Sequence, residues 1–156
     1  MITLQPLDRS RPDLVEKITL HPDQIKFAGT VADALAEPAD RFDLHQIRHA
    51  TQAIGIFKID KLYSQDYAFA RVGDLGLRAV ILDHCHQRQG FGTQAMRALS
   101  AYLPTYYPTA DTLHLTVNLT NTTAIAVYIA AGFQDSGEIW PYGQAGPQKI
   151  MHLSLR

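Results

Sequence analysis

The sequence predicts an α+β fold (α/β in some schemes), a single domain over residues 1–156 with a mixed, mostly antiparallel sheet flanked by helices. Three observations carry that prediction. Residues 42–49 and 52–59 alternate apolar and polar side chains on either side of a short turn, the pattern of an antiparallel hairpin. Residues 77–82 are short, apolar and β-branched in their middle. A glycine loop follows them, and then residues 93–103, apolar at helical spacing, so the order is strand, loop, helix. Finally, 156 residues with 46% hydrophobic and 19% charged side chains make one soluble core, not a disordered chain.

Taken in order, residues 2–7 alternate as a first strand, with Pro6 at a strand end or sheet edge. Ser10 and Pro12 predict a helix over 12–20, striped by Leu14, Val15 and Ile18 and ended by His21-Pro22. Phe27, Val31, Ala34 and Leu35 predict a second short helix that Glu37-Pro38 stops. After the hairpin, residues 60–76 form a polar and aromatic loop leading into the central strand. The helix after the glycine loop ends at Pro104. Residues 113–117 alternate as a strand, residues 121–131 form a helix with Gly132 as its C-cap, and 133–140 with 149–155 close a C-terminal hairpin.

Composition excludes several functions. With 14 Lys and Arg against 15 Asp and Glu, the chain has no electrostatic footprint for nucleic acid or an anionic membrane. No run approaches the ~20 apolar residues of a membrane span. One cysteine, Cys85, permits no intrachain disulfide, and the chain reads as cytoplasmic. His84-Cys85-His86 is not expected to bind a metal, because alternate residues of an extended segment face opposite ways. Cys85 is expected to be a passive, packed thiol.

The chemistry gathers in two stretches. In Gln87-Arg88-Gln89-Gly90-Phe91-Gly92-Thr93 the glycines let successive N–H groups point into one hollow at a helix N-terminus, which suits a phosphate. No Gly-Lys-Ser/Thr closes it and the three-glycine spacing is absent, so it is neither a P-loop nor a dinucleotide fingerprint; on spacing alone it is also readable as a plain turn. In the second stretch Asn121, Ala124, Tyr128 and Ala131 share one helix face. On spacing alone Tyr128 reads as a core aromatic.

The two stretches together resemble the GNAT superfamily of N-acetyltransferases. Gln87-x-x-Gly90-x-Gly92 is similar to its Gln/Arg-x-x-Gly-x-Gly/Ala signature, and residues 121–133 are similar to its Asn-x-x-Ala-x-x-x-Tyr-x-x-x-Gly-Phe block. The resemblance covers about residues 75–135. It implies a GNAT-like domain that binds acetyl-CoA as co-substrate through Leu82, Gln87, Arg88, Gln89, Gly90, Phe91, Gly92, Thr93, Asn121, Ala124 and Tyr128. Tyr128 would hydrogen-bond the leaving sulfur as the catalytic residue. The acceptor implied is the primary amine of a small molecule, a polyamine, an amino acid or an aminated antibiotic, attacking directly in a ternary complex. Gln24 and Phe27 lie where the resemblance puts its wall, although Phe27 reads first as a core residue, and acidic Asp60, Asp66 and Glu138 are read either as attracting a cationic acceptor or as simply solvated. No general base is legible, so a water relay stands beside a side-chain base. A peptide or protein acceptor and a non-catalytic CoA-binding domain remain as alternative readings. The resemblance also admits a homodimer, for which the sequence supplies no contact.

Overall fold

The structure is a computed structural model that describes residues 1–156. Seven strands, β1 (Ile2–Pro6), β2 (Phe42–His49), β3 (Gln52–Asp60), β4 (Leu75–Leu82), β5 (Thr112–Asn118), β6 (Gln134–Trp140) and β7 (Gln148–Ser154), form one sheet in the order β1-β2-β3-β4-β5-β7-β6. Every neighbouring pair is antiparallel except β4–β5. The predicted hairpins and the mixed, mostly antiparallel sheet are therefore present.

The sheet buries apolar residues on both faces. On one, α3 (Phe91–Tyr106) contributes Ala95, Met96, Leu99 and Leu103, and α4 (Thr122–Ala130) packs beside it. On the other, α1 (Pro22–Ala28), α2 (Val31–Leu35) and the segment before them cover Leu44, Ile56 and Ile81. Two bulges divide the strands between these faces. Ile54 is an extra residue opposite the Ile47–Arg48 step, which puts Ile54 and Phe57 in one core and Ala53 and Ile56 in the other. In β4 two residues, Ala79 and Val80, stand against Phe57 alone, and Ala79 takes φ +51.

Three expectations for the helices are corrected. No helix spans 12–20: Pro12–Leu14 is one 3-10 turn, and the Ser10 hydroxyl donates to Asp8 instead of capping it. Val15 and Ile18 are buried all the same, because an irregular segment lying on a sheet hides apolar side chains as a helix would. Pro22 begins α1 rather than ending a helix, since its fixed φ suits the first helical position. The predicted second helix is two: Gly29 at φ +75 stops α1, and Thr30 with Asp33 forms a capping box that starts α2. Finally, α3 runs through Pro104 to Tyr106. The proline forfeits one hydrogen bond near the end, and the Tyr107 N–H closes the last turn on the Leu103 carbonyl at 2.8 Å.

Tyr102 and Tyr107 anchor that end of α3 on His45, a buried residue of β2. The Tyr107 hydroxyl donates to Asp43 at 2.7 Å and accepts from His45 Nε2 at 2.8 Å, while His45 Nδ1 accepts from the Tyr102 hydroxyl at 2.7 Å. That chain uses neutral imidazole, and burial pushes the His45 pKa down to about 4, against an opposing pull from Asp43. An unfolded histidine titrates near 6.5. Between those values the unfolded chain binds the extra proton, so stability falls as pH drops. Acidification from pH 7 to 4 is expected to remove about 3 kcal/mol through this residue. Urea midpoints measured across that range should slope less for His45→Gln than for the wild type.

Candidate active site

The parallel pair β4–β5 holds only at Leu75–Leu113 and Gly76–His114, after which the strands part. A cavity of about 920 Å³ lies in the gap. Its walls are β4 from Leu77 through Val80 with Leu82, the loop after β4, Thr116 to Asn118 of β5, Asn121, Ala124 and Tyr128 of α4, and Gln24 and Phe27 of α1. Sequence reasoning missed the parting of the strands and the Ala79 bulge, because nothing in the composition of residues 75–82 marks either.

The loop has the form its glycines predict. Arg88 takes φ +63 and Gly90 φ +80, and Gly90 is the N-cap of α3 with no side chain capping it. The first helical bond is from the Gln94 N–H to the Gly90 carbonyl at 3.1 Å, and the N–H groups of residues 88 through 93 donate to no acceptor in the protein. A run of free amides at a helix N-terminus, with Arg88 beside it, is an anion receptor. Gln87, Arg88, Gly90, Gly92 and Thr93 line the cavity. Two expected neighbours do not: the Gln89 side chain turns back to the Cys85 carbonyl, and the Phe91 ring packs on His49 at 4.6 Å between centroids. The Gln87 amide acts as a clip. It donates to the Leu82 carbonyl and to Gln24 Oε1, both at 2.9 Å, and accepts from Gln24 Nε2 at 3.0 Å, tying loop, β4 and α1 together.

On the opposite wall Asn121 is the N-cap of α4, its Oδ1 accepting from the Ala124 N–H at 3.3 Å, which leaves its Nδ2 free to donate. Gly132, at φ +99 just beyond the C-cap Ala131, ends the helix as expected. Tyr128 lines the cavity with its ring edge-to-face on Phe133 at 5.4 Å. Burial pushes its hydroxyl up to about 12, so the group stays protonated and donates.

The acidic residues are not where the sequence reading put them. Asp60 belongs to β3 and is wholly buried, and Asp66 joins it in a four-residue cluster. Arg41 reaches Asp60 at 2.9 Å and Asp66 at 2.7 Å, and Arg78 reaches each at 3.1 Å. Burial alone would raise the Asp60 carboxyl, but hydrogen bonds from Arg41 and the Leu62 N–H, with the Arg78 charge, hold it below the usual range. Glu138 lies on the exposed strand β6, outside the cavity. The one carboxylate lining the cavity is Asp23.

Residues 84–86 also differ from expectation. They form a 3-10 turn, not an extended segment, and Cys85 is exposed, not packed. The turn brings donor atoms of Asp83, His84 and Cys85 within 4.8 Å of one another. His84 Nδ1 and the Asp83 carboxylate are engaged with Thr19, which pins the loop to the segment before α1.

Comparison with known proteins agrees with this fold. The aminoglycoside acetyltransferase AAC(6')-Ib in complex with coenzyme A superposes with a TM-score of 0.79 over 99% of this chain and 95% of that one, at 18% identity. The spermidine N-acetyltransferase from Vibrio cholerae, in complex with CoA and spermine, gives 0.72 over 99% and 95% at 15% identity. Both show that the fold is shared. No helix of this chain is long and apolar enough to cross a membrane. In sequence, an uncharacterized N-acetyltransferase of Bacillus subtilis (strain 168), YbbJ, is 34% identical over 79 residues, 51% of this chain and 49% of that protein. The match thus spans about half the length of that relative. The model of the FR47-like protein family matches residues 53–140, which take in both motifs, and the chain belongs to that family, of GNAT type.

Proposed function

We propose that the protein is an acetyl-CoA-dependent N-acetyltransferase acting on the primary amine of a small molecule by direct attack in a ternary complex. The observation that carries this reading is the run of free N–H groups from Arg88 to Thr93 at one end of a cavity whose other wall presents the Tyr128 hydroxyl.

The residues present fit the co-substrate. A helix N-terminus alone contributes ~0.3–1 kcal/mol to anion binding, while micromolar affinity needs ~8 kcal/mol. Hydrogen bonds to a charged group contribute ~1.5–3 kcal/mol each, so three or four of the free amides, with Arg88, reach that level for a pyrophosphate. The unpaired stretch of β4 beyond Gly76 offers backbone groups to an extended amide-bearing arm, as an added strand would use them. Acetyl-CoA supplies the activated acetyl group.

The chain's own part is positioning and proton management. An amine of pKa ~10.4 costs ~4–5 kcal/mol to deprotonate at pH 7, and in this reading the proton goes to a water relay or to Asp23, the one carboxylate lining the cavity. Tyr128, with its pKa raised, keeps its proton and donates a hydrogen bond to the departing thiolate, whose own pKa is ~8.5. The enzyme is taken to work in the cytoplasm.

An amine-dependent release of free thiol from acetyl-CoA tests the reading. Tyr128→Phe is expected to lower kcat by about 100-fold with little change in acetyl-CoA affinity. Unchanged turnover would remove Tyr128 from the mechanism.

A further inference from the structure

Beyond the phosphate loop, whose Arg88 is assigned to the pyrophosphate, the charged residues lining the cavity are Arg78 and the exposed pair Lys26 and Asp23. Asp60 and Asp66 are both taken up by Arg41 and Arg78. A polyamine or an aminoglycoside brings several ammonium groups, and no free carboxylate waits here for the second or third of them. Lys26 offsets Asp23, and the two arginines of the cluster offset its two aspartates, so this wall offers a polycation no net attraction.

Arg78 is also held in a receptive posture. Its guanidinium lies over the rings of Tyr63 and Tyr67, 5.2 Å from each centroid, and Nη2 is fixed on Asp60 and Asp66 at 3.1 Å. Nη1 donates to nothing, and Nε is buried without an acceptor. A planar guanidinium with unused donors, immobilised by two carboxylates and two aromatic faces, matches a carboxylate.

Tyr63 is an independent observation. It is 1% exposed, its ring pressed on Gly76 and stacked on Tyr67 at 4.3 Å, yet it lines the cavity where β4 and β5 begin to part. Its hydroxyl approaches the Thr116 side chain without the geometry of a hydrogen bond and has no partner. A buried donor without an acceptor is destabilising, and a ligand oxygen relieves it. Arg78 lies on β4 four residues or ~13 Å before Leu82, and Tyr63 packs on Gly76 of the same strand, so both stand at the end of the cavity away from the phosphate loop.

We infer that the acceptor is a primary amine that carries a carboxylate, received by Arg78 and the Tyr63 hydroxyl, and not a polycation. This rests on the transferase reading above and narrows its substrate class.

The test is thiol release from saturating acetyl-CoA with amino acids, their carboxamides, spermidine and kanamycin as acceptors. The best amino acid should exceed its own carboxamide at least ~10-fold in kcat/KM and exceed both polycations. Tyr63→Phe, which deletes only an unpartnered hydroxyl, should leave the melting temperature unchanged or raised. It should also lower the acid-to-amide ratio about fivefold, and Arg78→Lys should abolish the preference while acetyl-CoA still binds. A polycation turned over faster than every acid, or an acid-to-amide ratio unmoved in both variants, would overturn this inference and leave the transferase intact. Acetyl-CoA binding or amine-dependent release absent altogether would remove both.

Discussion

Gly76→Ala is expected to lower the melting temperature by roughly 2–12 °C. A Cβ at position 76 would stand 1.9 Å from Cδ1 of Tyr63 and 2.5 Å from its Cε1, so the ring must leave its slot. The ring has little room to move, being stacked on Tyr67 on one side and on His114 at 6.0 Å and 3°. Overpacking a buried site costs ~1–3 kcal/mol and occasionally more, and in a chain of this length 1 kcal/mol shifts the melting point ~2–4 °C. Because Tyr63 and Arg78 share this wall, the variant should also lose amine turnover more than acetyl-CoA affinity. Calorimetry with a parallel rate measurement checks both parts, and a shift under 2 °C would mean the ring is not packed as described.

Gly90→Glu is expected to weaken acetyl-CoA binding at least ~100-fold. Position 90 takes φ +80, where a side chain costs ~1–2 kcal/mol, and its substituent would meet only Gln94 at 4.0 Å, so the protein should still fold. The carboxylate would sit among the free amides from 88 to 93, occupying the donors and repelling a phosphate. Gly90→Asn separates strain from charge, since asparagine tolerates the left-handed region. It should bind within a fewfold of the wild type, and equal losses in the two variants would assign the effect to backbone strain.

What the sequence made legible was local. The loop Gln87–Thr93 and the face Asn121–Tyr128 each fit within a dozen residues, where spacing dictates geometry. What it hid was set by partners distant in the chain. Asp60 reads as a loop acid until Arg41 and Arg78, nineteen and eighteen positions away, are brought against it. Phe27, readable from its spacing as a core residue, lines the cavity, and Gln24 is half of a clip whose other half, Gln87, is 63 residues on. Val15 and Ile18 have helical spacing without a helix, because the surface that hides them is the sheet. The β4 bulge has no sequence marker at all, since Ala79 is left-handed without being glycine.

Thermal unfolding of the wild type with and without acetyl-CoA tests the central claim most directly. At a hundredfold excess over a micromolar Kd, linkage predicts ~2.7 kcal/mol of stabilisation, a rise of roughly 5–10 °C for a chain of this size. A rise of that order, lost in Gly90→Glu and kept in Gly90→Asn, is the result expected if the amides from Arg88 to Thr93 receive the co-substrate. An unchanged melting temperature at millimolar acetyl-CoA would contradict it.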